Sequence, residues 1–273
     1  MAEQVSFCKR NAKSIENFIT KTYNLDVKFS NVFSWGYNSA SIYILDKNDN
    51  AYVARVREYN KTVKEKLNKE IFFADYFKTL FRTPSFVKTS KGEYITYFKG
   101  HSILIHKHIS GVAPFDMDLE ILGKACEIAY RVHQLKIPDY PLQKYSTKAS
   151  YKPKLLHGDI TPYNLLTENN DLVALLDYEE IMIGPLERDL ARLVLISWFK
   201  LAETSDILIS TCVNVAVKSY PGQVNEAMLI QIIHEQLNER INNIKKHKKN
   251  YKSALAYKQE MAYVEQFLAR MDI

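Results

Sequence analysis

The sequence predicts an α+β chain in two parts, a β-rich first lobe and a mainly α-helical second lobe, on three observations. Through about residue 110, short apolar runs are broken by Gly and Asn/Asp turns, the rhythm of an antiparallel sheet. Beyond Ser110-Gly111, apolar residues recur at helical spacing over long stretches. Between 154 and 183 that texture is interrupted by short runs that read as small strands and loops.

Each element follows from its residues. Asn31 to Trp35, Ala40 to Leu45 and Ala51 to Arg57 form a three-strand meander, with turns at Gly36-Tyr37-Asn38-Ser39 and Asp46 to Asn50. Residues 61 to 81 place Leu67, Ile71, Ala74, Phe77 and Leu80 near helical spacing and end before Pro84, which predicts the one helix inserted in the sheet. Glu93 to Phe98 and Ser102 to Ile109 are two more strands, joined through Lys99-Gly100-His101. Helices are predicted at about 118 to 136, 187 to 200, 202 to 219, 223 to 246 and 252 to 271. The expected division is a first lobe over 1–106, a connecting hinge over 107–112 and a helical lobe over 113–273.

Composition excludes several classes. With 47% hydrophobic and 25% charged residues over 273 positions, disorder, collagen-like repeats and coiled coil are ruled out. The most apolar helix, Leu190 to Ala202, is interrupted by Arg192 and Lys200, so no membrane span is expected. The opening residues lack the apolar segment of a secretory signal, and Cys8, Cys126 and Cys212 are too scattered for a disulfide frame, so a reducing cytoplasm is expected. The net charge of +6 is modest at this size, with both signs interspersed, and argues against nucleic acid as a partner. The basic run Lys245-Lys246-His247-Lys248-Lys249 reads as a solvated helix end or loop. His101, His106 and His108 gather near the lobe boundary without the Cys or carboxylate partners that a zinc site needs.

The interrupted stretch carries the chemistry. It reads His157-Gly158-Asp159, with Asn164 five residues past Asp159, and then an apolar run ending in Asp177-Tyr178-Glu179. Phosphoryl transfer needs a carboxylate to orient and accept the proton of an attacking hydroxyl, and oxygen ligands for a Mg²⁺ that bridges phosphates. The spacing H-x-D-x-x-x-x-N supplies both from one loop, with Asp159 as the base and Asn164 as a metal ligand. Asp177 would be the second metal ligand.

These residues resemble the motifs of the aminoglycoside phosphotransferase and choline kinase superfamily, small-molecule relatives of protein kinases. The superfamily's His, Gly, Asp and later Asn match His157, Gly158, Asp159 and Asn164, and its Asp-aromatic-Glu metal motif matches Asp177-Tyr178-Glu179. Its Gly-Pro followed by Asp-Leu-Ala matches Gly184-Pro185 and Asp189-Leu190-Ala191. The likeness runs from about Val32 to Val194 and is specific over 155 to 192. It implies a bilobal protein-kinase-like fold and an ATP- or GTP-dependent transfer to a small hydroxylated acceptor, with Asp189 bracing the catalytic loop and His133 structural. It also implies that Gly36, Asn38 and Ser39 cover the phosphates and that backbone groups of Lys107 and Ile109 read the base. Arg55 stands where the family offers a Lys to the phosphates, with Glu70 as its helix partner and Glu65 as the runner-up.

The acceptor class divides within the superfamily. His-Gly-Asp leans toward the antibiotic kinases, with antibiotic resistance as the role implied, and Asp-Tyr-Glu toward choline, ethanolamine or homoserine kinases. Residues 223 to 273 hold eight Lys/Arg against six Asp/Glu, which is little acidity for a cationic acceptor, although Glu179 and Glu180 could add negative charge. The reading of another class is a nucleotide-binding, catalytically inactive interaction protein, pointed to by Arg55 and the glycine-poor loop.

Overall fold

The computed structural model describes residues 2–34, 39–114, 118–146, 150–203 and 205–246. The chain divides into two compact units. One comprises Met1–Ser110 with Leu176–Glu179, the other Gly111–Leu175 with the chain from Glu180 on.

The first unit is built on an antiparallel sheet of β1 (Val27–Ser34), β2 (Ala40–Asp46), β3 (Ala51–Glu58), β4 (Ile95–Phe98) and β5 (His101–Lys107) in the order β1-β2-β3-β5-β4. Strand alternation sends Tyr52, Ala54 and Val56 of β3 into a core with Ile42 and Ile44 of β2 and Ile103 and Ile105 of β5. Asp46 turns the chain between β2 and β3, its carboxylate accepting from the N–H groups of Asn48 and Asn50.

Two helices that the sequence reading did not expect complete this core: α1 (Ala2–Arg10) and α2 (Ala12–Tyr23). Among the described residues the unit therefore carries two helices ahead of the sheet besides the one inserted in it. The signal was present in α2, where Ile15, Ile19 and Tyr23 recur every four residues and all three are buried with Cys8 against the sheet. The inserted helix α3 (Lys61–Phe77) begins where the Asn60 side chain accepts from the Val63 N–H at 2.8 Å and stops four residues earlier than expected.

The second unit contains α4 (Leu119–His133), capped by Asp118 accepting from Ile121 N–H at 2.7 Å. Then come β6 (Lys154–Leu156), a 3₁₀ turn at Pro162–Asn164, β7 (Leu165–Glu168), β8 (Asp171–Leu175) and β9 (Met182–Gly184). β6 pairs with β9, and β7 with β8 through a turn in which Asn169 and Asn170 both take positive φ, 51° and 66°. The unit continues with α5 (Glu187–Leu201), α6 (Ile209–Ser219) and α7 (Glu226–Lys246). The helix expected from 202 starts only at Ile209: Trp198 Nε1 donates to Ile207 O, and the Ser205 hydroxyl and N–H both bond back to Leu201 O, ending α5 in a loop. The helix expected over 252–271 lies outside the described residues. Among the described residues no helix is long and apolar enough to cross a membrane.

Candidate active site

In the second unit the candidate loop is fixed from three directions. Asp189, fully buried near the start of α5, accepts from His157 N–H through Oδ2 and from Gly158 N–H through Oδ1, each at 2.9 Å. Behind it, His133 at the end of α4 bonds through Nε2 to Asp189 Oδ2 at 3.2 Å, and through Nδ1 to the Tyr220 hydroxyl at 2.9 Å. Burial alone would raise the Asp189 carboxyl, but His133, His157 and the Gly158 N–H together hold it below the ordinary value. Asp189 therefore braces the loop, and His133 braces Asp189.

Gly158 is required by close approach. Its φ is +84°, and a Cβ there would sit 2.2 Å from the backbone oxygen of Glu180. The loop so constrained delivers Asp159 and Asn164 together: the Asn164 amide nitrogen donates to Asp159 O at 2.9 Å and to Asp159 Oδ2 at 3.0 Å. The other carboxylate oxygen, Oδ1, is held by Arg192 through Nε at 3.1 Å and Nη2 at 2.9 Å. Arg192 was not singled out from the sequence. The available signal was its place three residues after Asp189, which puts both side chains on one face of α5.

In the first unit Arg55 on β3 pairs with Glu70 of α3 and, through Nη2, with Glu179 Oε1 at 2.9 Å. The runner-up Glu65 is exposed and sits 4.0 Å from Lys61. Arg57 Nη1 reaches the same Glu179 oxygen at 2.5 Å. Burial works against charge on Arg55, but Glu70, Asp177 and Glu179 overcome it and push its pKa up. Burial, reinforced by Asp177 and Glu179, raises the Glu70 carboxyl against the pull of Arg55. Burial is overcome at Glu179, where Arg55 and Arg57 hold the carboxyl down. Glu179 is thus engaged by two arginines, which corrects the expectation that it could supply negative charge to a cationic acceptor; Glu180 is exposed. Asp177 has φ 62°, a left-handed conformation that aspartate adopts more readily than most residues with a Cβ.

Ser39 is buried immediately before β2, whereas Gly36 and Asn38 lie outside the described residues. Lys107 ends β5 with its N–H bonded to Ser85 O at 3.0 Å and its carbonyl accepting from His106 Nδ1 at 2.9 Å; Ile109 follows beyond the strand, half-buried. Among the described residues no three His, Cys, Asp or Glu side chains gather as a closed metal cage. With its amide nitrogen engaged by Asp159, Asn164 has its amide oxygen as the end suited to a hard cation.

The second unit thus presents a carboxylate beside an amide on a braced loop, and the first unit pairs a β-strand arginine with a helix glutamate. Residues 146–208 match the model of the phosphotransferase enzyme family, a stretch that holds the candidate loop and the start of α5. No curated protein sequence matches the chain. Solved structures share the fold over nearly the whole length. A microcompartment-associated aminopropanol kinase matches with TM-score 0.72 and 11% identity, covering 93% of this chain and 94% of that one. An amicoumacin kinase bound to AMP-PNP, Ca²⁺ and its antibiotic matches with TM-score 0.71 and 10% identity, covering 97% and 95%. A spectinomycin phosphotransferase bound to ADP and spectinomycin matches with TM-score 0.66 and 12% identity, covering 96% and 94%.

Proposed function

We propose that the protein transfers the γ-phosphoryl group of ATP or GTP to a hydroxyl of a small molecule, most closely in the manner of the antibiotic kinases. The observation that carries this reading is the Asp159 carboxylate, fixed by Asn164 on one oxygen and Arg192 on the other within a loop pinned by Asp189. Asp159 orients the acceptor hydroxyl and takes its proton as the acceptor oxygen bonds to phosphorus and the bond to the β-phosphate oxygen breaks. Arg55, positioned by Glu70, holds phosphate oxygens. Asn164 and Asp177 would hold magnesium through their oxygens, and the ion would neutralise phosphate charge. Ser39 and its neighbours cover the phosphates, and backbone groups around Lys107 and Ile109 meet the base.

The test is nucleotide consumption by purified protein with Mg²⁺ and ATP or GTP, against aminoglycosides, other hydroxylated antibiotics, choline, ethanolamine, aminopropanol, homoserine and sugars. Asp159→Asn is expected to lower turnover at least ~100-fold while leaving nucleotide affinity nearly intact. Undiminished turnover in that variant rules out Asp159 as the base. A short amino alcohol is the second acceptor reading, supported by the likeness to aminopropanol kinase, and turnover confined to that part of the panel selects it. Mg²⁺-dependent nucleotide binding without turnover on any acceptor favours the inactive interaction protein.

A further inference from the structure

Strand β3 presents a second arginine where one sufficed for the reading above. Because Tyr52, Ala54 and Val56 enter the core, Arg55 and Arg57 emerge together on the opposite face of the sheet. Both meet Glu179, and Arg55 also meets Glu70. The four side chains are nearly enclosed, Arg55 being 12% exposed, Glu70 2%, Glu179 7% and Arg57 13%.

We propose that Glu179 is a positioning residue that lets an arginine serve at position 55: it fixes the second arm of the Arg55 guanidinium, and it acts on bound nucleotide through Arg55 rather than as a ligand of the cation. This rests on the reading of Arg55 as a phosphate-binding group. A lysine there would be a point charge satisfied by Glu70 alone, whereas the planar fork of arginine carries further donors that must be satisfied when buried. Glu179 takes the Nη2 arm while Glu70 takes Nη1, so the plane of the guanidinium is fixed from two sides. Arg57 then reaches the same Glu179 oxygen and offsets the charge of that second carboxylate.

Chain placement supports the same role. Leu176–Glu179 packs with the first unit although the chain on either side belongs to the second. Glu179 is its ionic anchor on β3, and Tyr178 its apolar one, 5.2 Å from Phe77 between ring centroids. The carboxylate that ends this segment is turned to two arginines.

The experiment is fluorescence-detected binding of ATP and GTP analogues, with Mg²⁺ titrated, by the parent, Arg55→Lys, Glu179→Gln and the double variant. Glu179→Gln is expected to weaken nucleotide binding about tenfold, equivalent to ~1.4 kcal/mol, while the half-saturating Mg²⁺ stays within about twofold. Arg55→Lys should cost about tenfold in the parent and under about threefold when Glu179 is already Gln, since the second arm then has no partner to lose. Additive costs overturn the inference, as does a Glu179→Gln protein that needs much more Mg²⁺ but binds nucleotide normally without it. Glu179→Asp keeps the charge and withdraws the oxygen by one methylene; it should weaken binding similarly with a parent-like melting temperature, and parent-like affinity also overturns the inference. A parent protein that binds neither analogue overturns the reading of Arg55 itself and the inference with it.

Discussion

Asp189 shows how much one buried carboxylate can organise. It receives two backbone N–H groups of the candidate loop and one imidazole, and none of these has access to water to replace it. Asp189→Asn should therefore cost about 3–5 kcal/mol in urea unfolding, the loss typical of breaking a buried charged network. Its pH signature has a definite sign. The folded carboxyl lies below its ordinary value of 3.8, so the unfolded chain takes up the proton first. The stability it contributes is complete above that value and drains away as pH falls through the lower folded one. Urea midpoints measured from pH 6 to pH 3 should accordingly fall more steeply in the parent than in Asp189→Asn.

At the scale of elements, one helix and one turn set the geometry. The first two turns of α5 carry both Asp189 and Arg192, so a single helix face fixes the loop backbone and the Asp159 carboxylate together. Arg192→Gln leaves the backbone bonds to Asp189 intact and frees Asp159 Oδ1. Turnover is expected to fall up to ~100-fold with nucleotide KM unchanged, the mark of lost orientation rather than lost binding; equal turnover would show that Asn164 alone suffices. The turn is less forgiving. A Cβ at position 158 meets the Glu180 backbone oxygen at 2.2 Å with φ at +84°, and backbone cannot yield as a flexible side chain can. Gly158→Ala should destabilise the protein by more than ~3 kcal/mol, read from denaturant midpoints, with turnover lost in parallel.

For the whole molecule, the three cysteines report on each unit separately. All are buried, and burial raises every thiol: Cys8 to about 11, Cys212 to about 12, and Cys126 further still. None should react with a disulfide reagent at pH 8 in the native state, and all three should titrate in guanidinium. Cys8 lies in the first unit and Cys126 and Cys212 in the second. Labelling through the unfolding transition, with peptide mapping, should show one step for all three if the units unfold together, and an early Cys8 or an early pair if they do not.

Periodicity made the five strands of the sheet, the inserted helix and the main helices of the second unit legible, because each buries one face and its apolar spacing records that face. Chemistry made the loop legible: His157, Gly158, Asp159 and Asn164 are adjacent in sequence, and their spacing alone places an amide beside a carboxylate. Sequence also named the Arg55–Glu70 pair, through the likeness to kinases. It did not yield α1 and α2, whose burial depends on a sheet formed later in the chain, although α2 carries the four-residue spacing of a buried face. Nor did it yield Arg192 on Asp159 or Arg57 on Glu179, contacts made across 33 and 122 positions. Such pairs leave no local pattern, since a charged residue on a helix or strand has the same propensity whether it faces water or a buried carboxylate. Local spacing determined which groups could do the chemistry, and tertiary packing alone decided which charges hold them in place.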